Sequence, residues 1–182
     1  MAPWIEIASR DQTAGWLSPW DLWLGPNGEV HLLWSERAID ERLRAKFFPE
    51  AKQSHTLNYA VLREGKVVRR RTLMESTEAK PGMTGAPARF HVTPDHRLFV
   101  VCYASGTEPG GRRVAENRLL EILPDGSTGV PVRLPLAKPF TSCFTTTVRA
   151  GSPPSRVLEM LGTRAGTGHT ISYARVRLFP EP

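Results

Sequence analysis

A chain of 182 residues with 40% hydrophobic and 23% charged residues is long enough to bury a substantial core in one domain and too apolar for an intrinsically disordered protein. Its 24 Lys and Arg against 18 Asp and Glu give a net charge of +6. The basic residues are dispersed and interrupted by acids, so no continuous phosphate-binding stripe exists and nucleic acid is not an expected partner. No segment approaches a membrane-spanning run, and the opening MAPWIEI lacks the basic segment and apolar core of a signal peptide. Cys102 and Cys143 make neither a disulfide framework nor a zinc-ligand spacing, and no metal or cofactor is expected.

In chain order, residues 4–8 (WIEIA) alternate apolar and polar and predict a short strand. A connection at 13–21 carries Trp16 and Trp20. The strand-turn-strand phrase LWLGPNGEVHLLW at 22–34 then recurs as FHVTPDHRLFVVC at 90–102 and as TTTVRAGSPPSRVLEML at 145–161. After each phrase and a loop comes a further apolar run, at 56–62, 117–123 and 170–176. Repetition at roughly 50–70 residues is the mark of a blade array rather than of an ordinary mixed domain. The first module reads as strands 22–24, 30–34, 57–62 and 67–73, with Asn27-Gly28 and Glu64-Gly65 supplying the positive φ of tight turns. The second ends in a strand at 130–136 after the Asp125-Gly126 turn. The third has three strands, and the chain stops before a fourth. The blades span about 21–74, 89–136 and 144–178 of a single domain.

These hairpin phrases, with four antiparallel strands per module, resemble the sialidase-like β-propellers with BNR-type repeats. The resemblance covers about residues 22–178 and implies an all-β propeller with three blades in this chain. A strand left over at the start and one missing at the end imply that segment 4–8 closes the last blade beside the strand at 171–176. Propellers run from about four to eight blades. The chain is therefore expected either to be part of a larger propeller or to pair with a second copy in a six-bladed ring; a β-sandwich is the alternative all-β fold. The resemblance also implies a glycan ligand and an extracellular or periplasmic setting. The Ser-x-Asp-x-Gly-x-Thr-Trp phrase and the arginine triad of the sialidases do not occur here, and no catalytic residue is assigned.

Alternation of strand direction places the loops at 35–55, 104–116 and 162–169 on one rim, together with the connections 13–21, 75–89 and 137–144. Long loops on one rim mark the functional side. The first loop predicts a helix over 36–47 capped by Ser35, with Ile39, Leu43 and Phe47 on one side. Aligning the third strands brings His55, Glu116 and His169 to equivalent positions, where imidazole and carboxylate could serve a ligand or acid-base chemistry. Trp16 and Trp20 offer flat faces for stacking on sugar rings. The candidate ligand-binding set is Trp16, Trp20, Glu36, Arg37, His55, Glu116 and His169. It suits a glycan- or partner-binding module; the alternative is a glycan hydrolase or lyase using acids such as Glu36, Asp40 or Glu116.

Overall fold

The computed structural model describes residues 4–145, 152–167 and 169–179. Among them, eleven strands, one α-helix and one 3-10 turn form an all-β architecture of three antiparallel sheets. In order these are β1 (Trp16–Leu24), β2 (Val30–Arg37), α1 (Glu41–Phe47), β3 (Ser54–Arg63), β4 (Lys66–Thr77), β5 (Met83–Val92), β6 (Leu98–Thr107), β7 (Arg113–Ile122), β8 (Val132–Arg133), β9 (Phe140–Thr145), β10 (Val157–Arg164) and β11 (Ile171–Arg177). Sheet order follows chain order in each: β1-β2-β3-β4, β5-β6-β7-β8 and β9-β10-β11. The contacts divide the chain into two compact units, residues 1–84 with 106–113, and residues 85–105 with 114–182.

The first unit holds the first sheet. The two-residue turn at Glu64 and Gly65, both at positive φ (50° and 71°), joins β3 to β4 because such turns match the right-handed twist of paired strands. Strand alternation then sorts the side chains. Leu33, Leu57, Tyr59 and Val61 are buried on one face. The other face carries the cross-strand row Leu24, Val30, Leu62 and Val67, of which Leu24 and Val67 stay exposed.

Several expected elements shift. Residues 4–8 belong to no strand; this segment instead contacts the first sheet, where the Ile7 carbonyl accepts from Arg70 (2.8 Å) and Ile5 lies near Gly65. The helix starts at Glu41 rather than at residue 36, because β2 continues to Arg37 and the cap is Asp40, whose carboxylate accepts from the Arg42 amide at 3.0 Å. Ile39 is buried ahead of the helix. Trp16 and Trp20 lie within β1, not in a connection. The rim loops are accordingly shorter than expected, since β4, β6, β7 and β10 also run beyond their apolar centres.

In the second unit, Phe99, Val101, Leu119, Leu134, Phe140, Cys143, Leu158, Met160 and Val176 form one core cluster that joins β6 and β7 to β9, β10 and β11. Burying each large side chain contributes about 1.5–3 kcal/mol. Asn117 ties the cluster together as a backbone mimic. Its side chain accepts from the Phe140 amide (2.6 Å) and donates to the Phe140 carbonyl (3.0 Å). The strand expected at 130–136 is reduced to Val132–Arg133, because Pro131 and Pro135 on either side lack the N–H that a ladder needs. The third module begins at Phe140, and residues 146–151 of its repeat phrase lie outside the described residues. Cys102 and Cys143 are free and buried; burial pushes their thiols up to about 12 and about 11, so neither supplies thiolate near neutral pH.

Candidate functional site

Three of the seven candidate residues fall in one cross-strand row. In the first sheet Trp16 of β1 pairs with Arg37 of β2, and Arg37 pairs with His55 of β3. Directly paired residues point to the same face of a sheet, with Cβ atoms about 5 Å apart. All three lie at the strand ends nearest the β2–β3 connection.

The row is built by the chain entering and leaving it. At the β1 entry, Gly15 is required: a Cβ there would lie 2.4 Å from the Arg37 carbonyl oxygen and 2.6 Å from that of Ala38. The Thr13 hydroxyl donates to the same Ala38 carbonyl (2.5 Å). Beyond β2, Gln53 clamps the connection, with its amide donating to the Ile39 carbonyl (3.0 Å) and Glu41 (2.6 Å) while accepting from the Ile39 N–H (3.2 Å). The strand ends are thus held on both sides.

Within this frame the two indoles are oriented by a pair of hydroxyls. Trp16 Nε1 donates to Ser18 Oγ (2.6 Å), Trp20 Nε1 donates to Ser35 Oγ (2.9 Å), and Ser18 and Ser35 are themselves direct cross-strand partners. Trp16 is 61% exposed. Trp20 occupies the extra position of a β-bulge between Pro19 and Asp21, which brings its indole to the Ser35 hydroxyl. The Arg37 Nε is buried without a hydrogen-bond partner among the described residues. Partial burial, then the charge of Arg37, lower the pKa of His55, with Glu41 opposing. At neutral pH the row therefore presents an indole face, a guanidinium and a neutral imidazole.

The remaining candidates lie elsewhere. Glu36, next to Arg37 in β2, points to the opposite face, where it is 7% exposed. Its Oε1 accepts from Trp34 Nε1 (2.6 Å), Asn58 Nδ2 (3.1 Å) and Arg70 (3.1 Å), and its Oε2 from Arg10 (2.7 and 2.8 Å). Arg70 also stands over the Trp34 ring at 5.0 Å. Five donor contacts leave that carboxylate no room for a ligand. Glu116 lies within β7 in the second unit, buried and paired with Arg118 (2.7 Å), with Arg133 at 3.6 Å. His169, in the same unit, is exposed in the turn before β11. Asp40 is bound by Arg42, which holds its carboxyl down to about 2.

Ser18, Ser35 and Gln53 were not expected from the sequence. The Trp16-x-Ser18 spacing puts both on one face of a strand, a signal hidden when 13–21 is read as a connection. Among the described residues no group of three or more His, Cys, Asp or Glu is placed to hold a metal ion, and no helix is long and apolar enough to cross a membrane. Comparison with protein-family models, characterised proteins and solved structures finds no match to this chain.

Proposed function

We propose that this chain is a glycan-binding module whose ligand lies on the row Trp16, Arg37 and His55. The observation that carries this reading is the exposed Trp16 indole, anchored through Nε1 so that its face stays free, in the same cross-strand row as two polar side chains. A sugar ring stacks its C–H face on an indole, while a guanidinium and an imidazole suit its hydroxyl or acidic substituents. Binding is favoured over hydrolysis, because a glycosidase needs two carboxylates facing one space. Glu36 and Glu116 are instead each engaged by arginine in separate units.

Screening on a glycan array tests this. Trp16→Ala and His55→Ala are expected to reduce binding of any glycan found by about tenfold or more. Trp16→Ala should leave stability within about 0.5 kcal/mol, as for other exposed positions. Unchanged binding in both variants, with loss on substituting the Asn27-Gly28 turn, would place the ligand elsewhere.

The module reading extends to architecture. Three antiparallel sheets of three or four strands, each wound as a meander in chain order, support reading them as propeller blades like those of the sialidase-like group. Two sheet faces carry exposed apolar rows, Leu24 to Val67 in the first sheet and Phe144 with Leu161 in the third. Such rows suit contact with further blades, either from a second copy of this chain or from the rest of a larger propeller. If a second copy supplies them, the mass in solution is that of a dimer and Leu161→Lys halves it. A monomer that stays soluble at high concentration would contradict the dimer.

A further inference from the structure

We propose that the second unit contains a separate binding site for a small organic anion, a carboxylate or phosphate carried on a ring, in the cleft beside β9 and β11. The cleft has a volume of about 350 Å³ and is lined by Lys138, Phe140, Arg164, Ser172, Tyr173 and Ala174 among others. Two cations and no carboxylate are among the described residues that line it; the nearby Glu159 is engaged by the Tyr173 hydroxyl and by Arg175 (3.5 Å).

Charge balance is the central observation. Several guanidinium groups meet carboxylates, among them Arg97 with Glu121, Arg112 with Glu108 and Arg118 with Glu116, each at 2.7 Å. Among the described residues neither the Lys138 nor the Arg164 side chain has such a partner, and Arg164 Nε is buried without any hydrogen bond. A half-buried guanidinium without a counter-charge is unfavourable, and a bound anion relieves it through charge-assisted hydrogen bonds.

The walls are built to hold a ligand. Arg164 follows a register shift in the β9–β10 ladder and pairs with Phe140, whose backbone is fixed on both sides by Asn117. A bulge of this kind re-aims the side chain that follows it. Ser172 adds a hydroxyl donor, and Tyr173, 61% exposed, adds an aromatic surface for the ring of the ligand. This site is independent of the Trp16 row, which belongs to the first unit.

Titration of the ¹⁵N-labelled protein with phenyl phosphate, benzoate, inorganic phosphate and phenol, followed by amide shifts, tests the proposal. Phenyl phosphate or benzoate should give saturable shifts confined to residues 136–140, 164 and 172–174, and neutral phenol should give none. The stronger of the two aromatic anions identifies the head group. Inorganic phosphate should bind more weakly, lacking the ring. Lys138→Gln and Arg164→Gln should each weaken binding about tenfold or more. Lys138 is exposed, so its variant serves even if Arg164→Gln fails to fold. The proposal is overturned by no saturable shift with either aromatic anion, by shifts centred elsewhere, by equal binding of phenol, or by unchanged affinity in Lys138→Gln.

Discussion

Replacing Glu36 by alanine should lower the unfolding free energy by about 2–4 kcal/mol, read from the midpoint of a denaturant titration. The carboxylate is buried and serves five donor contacts from Arg10, Trp34, Asn58 and Arg70. Removing it strands the Trp34 N–H in the interior, at about 1–3 kcal/mol for an unsatisfied buried group, and takes one of two acceptors from the Asn58 amide, which still donates to Thr56 Oγ1 (2.8 Å). The two guanidinium groups contribute less to the loss, because Arg10 and Arg70 side chains keep 34% and 49% of their exposure and return to water. Arg10 also fixes the approach of the chain to β1. Glu36→Gln keeps one acceptor oxygen and should lose about half as much. Arg10→Ala with Arg70→Ala should be at least as damaging as Glu36→Ala, since it leaves a buried carboxylate without cations. A change within about 0.5 kcal/mol for Glu36→Ala would show that the network does not stabilise the sheet.

Acidification from pH 7.5 to 4.5 should destabilise the protein, and His31 alone should account for about 2 kcal/mol of that loss. Its Nδ1 lies 2.7 Å from the Tyr59 hydroxyl in the interior, and burial lowers its pKa from 6.5 to about 4. Glu29, 4.0 Å from Nε2, pulls the other way but is outweighed. The unfolded chain takes up a proton below pH 6.5 while the folded chain resists until about 4. Stability is therefore fully present above 6.5 and is lost as pH falls through that window. His91 acts in the same direction. Its Nε2 lies 2.7 Å from the Ser155 carbonyl, which can only accept, so Nε2 carries the proton and the buried Nδ1 has no hydrogen-bond partner among the described residues. Burial lowers its pKa as well. Carboxylates held low by arginine neighbours, such as Asp40 and Glu121, lose their contribution only at lower pH, which isolates the histidine window. His31→Asn keeps an acceptor near the Tyr59 hydroxyl and should flatten the profile. A thermal midpoint that is constant from pH 7.5 to 4.5, or an unaltered slope in His31→Asn, would contradict this assignment.

The strand centres of the first sheet were legible because apolar alternation and turn dipeptides speak together there, whereas β9 and most of β5 fall in stretches read as connections. The first sheet follows the Asn27-Gly28 and Glu64-Gly65 turns with Val30 and Leu57 placed as expected. Strand ends were not legible. β2 runs on through Ser35, Glu36 and Arg37, and β4 through Glu75, Ser76 and Thr77, where ladder pairing rather than hydrophobic pattern holds the backbone extended. That extension also decided the site. Read as a helix, 36 and 37 could share a loop face; in a strand of period two they face opposite ways, which separates Glu36 from Arg37. The rim shared by Trp16, Arg37 and His55 was readable from the alternation of strand direction. The alternating residues 4–8 misled because the pattern of a strand does not supply a partner strand, and here Arg70 takes up the Ile7 carbonyl instead. The cationic cleft had no sequence signal, since Lys138, Arg164 and Tyr173 are far apart along the chain and meet only through the third sheet.

The most direct measurement of the glycan assignment is the set of tryptophan indole N–H resonances during titration with a glycan taken from the array. Trp16 and Trp20 donate to Ser18 and Ser35 beside the proposed ligand, whereas Trp34 donates to Glu36 on the opposite face. The account predicts shifts of the Trp16 and Trp20 signals that saturate with the ligand, an unmoved Trp34 signal, and loss of the response in His55→Ala. Shifts confined to Trp34, or saturable binding that leaves both Trp16 and Trp20 unmoved, would contradict it.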